Sequence, residues 1–100
     1  MSEMQDYEIT ALVHVANQEQ ADEAAENFHL SVCSRWLVLR HYASPTLAEG
    51  IYQITVIVTA PADQVYPSSH TLLRAAFATR HPTDSIAVRT KAKGKRWQRV

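Results

Sequence analysis

Residues 52–60 of this 100-residue chain read Tyr-Gln-Ile-Thr-Val-Ile-Val-Thr-Ala, and they decide the fold. Most of these side chains are β-branched or aromatic, and the stretch lies between Gly50 and Pro61. This composition is typical of a strand rather than a helix, because such side chains suit a pleated backbone whereas Gly and Pro interrupt it. The apolar residues follow one another almost without a break, which predicts a strand inside a sheet rather than at its edge.

The opening of this stretch occurs twice in the chain. Residues 7–10 read Tyr-Glu-Ile-Thr, and residues 52–55 read Tyr-Gln-Ile-Thr. Each copy continues into a Val-rich segment that leads to a predicted helix. The chain therefore resolves into two similar halves, each built as a β-α-β unit.

The remaining elements follow from hydrophobic periodicity and from capping residues. Residues 7–16 form the first predicted strand, and a helix capped by Asn17 follows it. An apolar stripe on that helix consists of Ala21, Ala24, Ala25 and Phe28. Further strands are predicted at residues 35–42, 52–60 and 85–92, and a second helix at 71–81, capped by Ser68 or Ser69. Residues 1–6 are expected to be a flexible N-terminus, and residues 93–100 either a basic tail or a short extra strand.

The order β-α-β-β-α-β predicts one α+β domain over residues 1–100. Right-handed connections place the two Tyr-x-Ile-Thr strands side by side in an antiparallel sheet, with both helices on one face. This is a ferredoxin-like two-layer sandwich. Because many unrelated functions use this fold, the fold alone predicts no activity.

Charge is distributed unevenly, although the net charge is zero. Residues 1–30 hold seven acids and no Lys or Arg, whereas residues 80–100 hold seven Lys or Arg against one acid, Asp84. Cys33 is the only cysteine, which excludes an internal disulfide and favours a reducing, cytoplasmic location. The acidic N-terminus does not resemble a secretory signal, and no apolar run is long enough to predict a membrane partner.

The sheet face away from the helices is the first candidate working surface. The first and third strands are expected to present polar and apolar side chains there, among them Leu12, His14 and Ile57. For the second strand, alternation permits Trp36, Val38, Arg40 and Tyr42, or else Arg35, Leu37, Leu39 and His41. The first set is preferred, because two leucines suit a core better than Arg40 does. The predicted partner-binding residues are Leu12, His14, Trp36, Val38, Arg40, Tyr42 and Ile57.

The basic C-terminal segment is the alternative. Cationic side chains interleaved with an indole could hold a phosphate backbone while the ring stacks on a base. The candidate nucleic-acid-binding residues are Arg89, Lys91, Lys93, Lys95, Arg96, Trp97 and Arg99. The RNA-recognition motif shares the predicted topology, but its aromatic residues belong on the central strands, where this chain has Thr, Leu, His and Ile.

No residue pattern predicts catalysis, a metal site or a cofactor. Ser69 and His70 are adjacent in sequence, but a catalytic pair needs spatial geometry and an orienting acid, and a helix cap explains the serine. The five histidines lack ligand spacing, although His14 and His41 could meet across neighbouring strands. Cys33 is expected to be a small buried hydrophobe. The sequence therefore predicts a non-catalytic binding module of the adaptor or inhibitor type, with a protein partner or a second copy of itself.

Overall fold

The computed structural model of the chain describes residues 3–91 and 97–99, of which Lys91 and residues 97–99 are described by backbone only. It is an α+β structure in which a four-stranded antiparallel sheet, extended by a short fifth strand, is combined with two helices. In chain order the elements are β1 (Met4–His14), α1 (Gln18–Val32), β2 (Leu37–Pro45), β3 (Ile51–Pro61), α2 (His70–Ala78), β4 (Thr83–Lys91) and β5 (Trp97–Arg99).

The strands lie in the order β2-β3-β1-β4-β5, and each neighbouring pair is antiparallel. The two Tyr-x-Ile-Thr strands, β1 and β3, pair over their whole length, from Met4 opposite Pro61 to His14 opposite Ile51. Thr10 and Thr55, which are equivalent in the repeat, lie directly opposite each other. A local two-fold relation between the halves therefore passes through this pair of threonines.

One face of the sheet and the two helices enclose a single cluster of buried side chains. Helix α1 contributes the apolar stripe predicted from its spacing, with Val32 in addition. Three of the four stripe residues are alanines, so the helix can lie close to the sheet. On the sheet, the odd-numbered residues of β1 and the even-numbered residues of β3 point into the cluster, among them Ile9, Val13, Ile54 and Val56.

Helix α2 buries only a narrow face. It begins at His70 and buries Leu72 and Ala75, whereas Leu73 and Phe77 are exposed. Its N-terminus is capped by Ser69, whose Oγ accepts a hydrogen bond from the Leu72 N–H at 3.3 Å. Helix α1 is capped as predicted, since Asn17 Oδ1 accepts from the Gln20 N–H at 2.9 Å.

Two smaller expectations are wrong. Strand β1 begins at Met4, so residues 4–6 belong to the sheet, because the chain there pairs with the end of β3. Cys33 follows α1 and is exposed rather than buried. The extra C-terminal strand exists as β5, which pairs its backbone with β4. Of the predicted tail, residues 93–96 and 100 lie outside the described residues.

Candidate partner-binding surface

The sheet surface opposite the helices, here called the open face, is defined by strand alternation and register. Strand β1 places Glu8, Thr10 and Leu12 on it, because their odd-numbered neighbours are buried in the core. Cross-strand partners share a face in antiparallel pairing, so Ile57 joins Glu8 and Thr55 joins Thr10 on this surface. The register therefore places Leu12, His14 and Ile57 on the open face, where the sequence analysis expected them.

Strand β2 departs from both sequence alternatives because it contains a β-bulge. Val38 pairs with Val58, but Arg40 pairs with Ile57, so Leu39 is an extra residue between two regular stretches. Before the bulge, Val38 faces the core and packs against it. After the bulge, alternation has shifted by one residue, so that Arg40 faces the open side.

The predicted placement of Trp36 and Val38 on the open face is therefore wrong. Trp36 is only 4% exposed and belongs to the core cluster. Its indole Nε1–H donates to Gln64 Oε1 at 3.4 Å, which satisfies the one polar atom of the ring. The open-face position at this end of β2 is taken by Leu37, which pairs with Thr59.

Arg40 and Tyr42 lie on the open face as predicted, and they are in contact. The Arg40 guanidinium carbon lies 4.9 Å from the centre of the Tyr42 ring. Stacking of this kind contributes about 0.5–1 kcal/mol at an exposed site and holds both side chains in a defined orientation. Arg40 lies opposite Ile57 and Tyr42 opposite Thr55, so the pair lies beside the central part of β3.

The apolar exposure of this surface is concentrated at the β2 edge. Leu37 is 65% exposed and Leu39 51% exposed. Leu12 and Ile57, on the inner strands, are half-buried. The sequence predicted that the two leucines lie in the core. Their exposure depends on the bulge, for which the sequence contains no signal.

Glu8 is an acidic side chain on the central strand β1, and it is only 6% exposed. It forms an ion pair with Arg89, which lies directly opposite on β4. A buried carboxylate is stable only when it is paired, so Arg89 is held by Glu8. The predicted role of Arg89 as a phosphate contact would require it to leave this carboxylate.

Three of the other nucleic-acid candidates, Lys91, Trp97 and Arg99, lie on β4 and β5. The backbones of Lys91 and Trp97 pair across β4 and β5, as do those of Arg89 and Arg99. Lys93, Lys95 and Arg96 lie outside the described residues.

His14 and His41 do not meet across neighbouring strands. His14 Nε2 lies 2.8 Å from Asp84 Oδ2 at the far end of the open face. His41 follows the bulge and faces the helix side, where its Nδ1 lies 2.7 Å from His29 Nδ1 on α1. Burial lowers the pKa of His29, and the nearby His41 lowers it further, while Glu26 opposes both effects.

Three further findings concern what the chain could bind. Within the described residues, no helix is both long enough and apolar enough to cross a membrane. Over the same part of the chain, no three His, Cys, Asp or Glu side chains are grouped so that they could hold a metal ion. No family model, curated protein or solved structure matches this chain.

Proposed function

We propose that this protein is a non-catalytic binding module with a ferredoxin-like topology, and that it forms a homodimer through the open face and the β2 edge. The element order and the strand order β2-β3-β1-β4 support this topology. The exposed thiol of Cys33 supports a cytoplasmic location, because such a thiol persists in a reducing compartment. Regulation of a further protein, as an adaptor or an inhibitor, remains part of the proposal.

The observation that carries the proposal is the exposure of two leucines on an edge strand. Leu37 and Leu39 lie beside the Arg40–Tyr42 stack, and within the described sheet β2 has a neighbouring strand on one side only. A long edge strand offers unpaired N–H and C=O groups, and natural edges with exposed apolar side chains are pairing sites.

A second copy of the chain is the partner that fits this edge best. Two identical edge strands related by a two-fold axis pair antiparallel, so the same surface serves both protomers. The net charge is zero, and the open face carries both signs in Arg40, Arg89, Asp6 and Asp84, so two copies do not repel each other strongly. The regular stretch at residues 40–44 follows the bulge and turns backbone groups of His41 and Ala43 towards the free edge, where the Ala43 C=O accepts from Gln18 Nε2 at 3.1 Å, so pairing there must displace the Gln18 side chain.

The expected dimer is weak. Burying the exposed part of each leucine contributes about 1–2 kcal/mol, so four leucines in a dimer contribute about 4–8 kcal/mol. Association itself costs about 4–15 kcal/mol, so the leucines alone do not hold two chains together. Backbone hydrogen bonds along β2 must supply the difference.

The test is the molar mass of the protein over a concentration series that reaches the millimolar range, measured by size-exclusion chromatography with light scattering. We expect the wild-type chain to approach twice the monomer mass and Leu37→Asp to remain a monomer. Leu30→Asp is the matched control, because Leu30 is 60% exposed on α1, in the helix layer rather than on the open face or on β2, and this variant should dimerise like the wild type. A wild-type chain that stays monomeric throughout, or equal behaviour of the two variants, contradicts the proposal.

A further inference from the structure

A polar cavity of about 260 Å³ lies in the helix layer, where the C-terminal end of α1 meets the N-terminal end of α2. Its walls come from two short segments, one that ends α1 and one that begins α2. The lining residues are Ser31, Ser34, Arg35, His70, Thr71 and Arg74.

The lining is strongly biased towards positive charge and hydrogen-bond donors. Two guanidinium groups come from different segments, Arg35 after α1 and Arg74 from α2, and no carboxylate lines the cavity. Among the described side chains, the basic groups in contact with carboxylates are His14, beside Asp84, and Arg89, beside Glu8, and neither contact involves these arginines. Both guanidinium groups are therefore available to an anion.

Hydroxyl groups complete the donor set. Ser31, Ser34 and Thr71 each add an O–H, which can donate to an oxyanion at the same time as the arginines. The backbone N–H groups of His70 and Thr71 lie at the positive end of α2, whereas the Leu72 N–H is taken by the cap residue Ser69. The helix end is a secondary contribution, since the two arginines and the cavity define the site.

We propose that this cavity binds the phosphate group of a small phosphate monoester. Planar guanidinium groups bind phosphate through two parallel hydrogen bonds, and a dianion matches two positive charges. The cavity volume corresponds to about eight or nine water molecules, so it has room for a phosphate group and a few further atoms of the ester. The cavity lies in the helix layer, away from the open face, so this site and the proposed dimer are independent of each other.

The test uses inorganic phosphate and glycerol 3-phosphate as probes on the intact chain, at constant ionic strength maintained with chloride. Amide chemical shifts in ¹H–¹⁵N spectra should change saturably at Ser34, Thr71 and Arg74. We expect glycerol 3-phosphate to bind more tightly than inorganic phosphate. Arg35→Gln and Arg74→Gln should each weaken binding about tenfold or more, because each removes a charge-assisted contact.

Arg80→Gln is the matched control. It removes the same charge just after α2, but Arg80 lines a separate apolar groove together with Leu73 and Phe77. Phosphate binding should therefore be unchanged in this variant. Arg35 and Arg74 are exposed, so both substitutions should leave the fold intact, and the dispersion of the same spectra checks this.

Three results would overturn the proposal. The first is the absence of saturable shift changes in the wild-type chain when phosphate replaces chloride, a result that needs no variant. The second is an equal loss of binding in Arg74→Gln and Arg80→Gln, which would show attraction by overall charge. The third is equal binding of succinate, which would make the cavity a carboxylate site.

Discussion

Strands β3 and β2 are neighbours in one sheet, but the sequence predicted which side chains face the core only for β3. In β3, the alternation is unbroken: Ile54, Val56 and Val58 are fully buried in the core. The residues between them, Thr55 and Ile57, face the open side. In β2, alternation changes phase at Leu39, so that Val38 and His41 both face the helices. The difference lies in the number of neighbouring strands, since in the described part of the sheet β3 has a strand on each side and β2 on one.

An extra residue costs more in the middle of a sheet than at its edge. A bulge in β3 would disturb its hydrogen bonds with both β1 and β2, whereas a bulge in β2 disturbs only those with β3. The edge strand can therefore accommodate Leu39 as an extra residue, and the resulting shift in alternation places Arg40 and Tyr42 on the open face. Bulged edges also resist uncontrolled pairing, which limits aggregation while leaving the regular part of the strand available.

The largest expected effect comes from Trp36 and Leu37, adjacent residues on opposite sides of the sheet. Trp36→Ala should lower the free energy of unfolding by about 3–5 kcal/mol, because it leaves a large cavity in the core. Leu37→Ala should change it by about 0.5 kcal/mol or less, because the side chain is exposed. Urea denaturation of the monomer, at concentrations below dimer formation, measures both. Equal losses would contradict the placement of Trp36 in the core and of Leu37 on the open face.

The sequence predicted the elements that depend on local signals. The helix caps at Asn17 and Ser69, the alanine stripe of α1 and the strand character of both Tyr-x-Ile-Thr segments all follow from spacing and residue type. The orientation of the β2 side chains does not follow from spacing and residue type, because the bulge depends on how β2 pairs with β3. The exposed leucines of the candidate surface therefore had no sequence signal, and the two arginines of the cavity are brought together only by the packing of α1 against α2.

An intermediate effect is expected when single residues are deleted from β2. Deleting Leu39 removes the extra residue and leaves Val38 opposite Val58 and Arg40 opposite Ile57 in a continuous ladder, so the loss should be about 1 kcal/mol or less. Deleting His41 also restores a continuous ladder, but it places Arg40 opposite Val56, on the helix side. Because this position is exposed, the expected cost is that of the lost hydrogen bond between His41 and His29, about 0.5–1.5 kcal/mol.

The two deletion variants have the same length. Deleting Leu39 leaves Arg40 and His41 opposite Ile57 and Val56, whereas deleting His41 leaves Leu39 and Arg40 there and removes the contact with His29. Urea denaturation compares their free energies of unfolding directly. If deleting Leu39 destabilised the chain as much as deleting His41, the extra residue would be essential to the fold, and β2 would not differ from β3 in its tolerance.

The smallest expected effect is a pH dependence at the contact between β2 and α1. His29 and His41 meet through their Nδ1 atoms, so one ring must donate and the other accept, and the contact requires at least one neutral ring. Burial, followed by the proximity of His41, lowers the pKa of His29 below its ordinary value of 6.5.

A group with a lowered pKa in the folded state contributes stability above its unfolded pKa and loses it as the pH falls through the folded pKa. The free energy of unfolding should therefore decline below pH 6.5, and His29→Gln should flatten this decline, whereas His70→Gln, which replaces an exposed histidine, should not. Because Glu26 raises the pKa of His29, Glu26→Gln should make the loss at low pH larger. Urea denaturation in buffers from about pH 7.5 to 5.5 measures each slope, and a wild-type slope unchanged by His29→Gln would show that the helix-facing position of His41 has no energetic consequence.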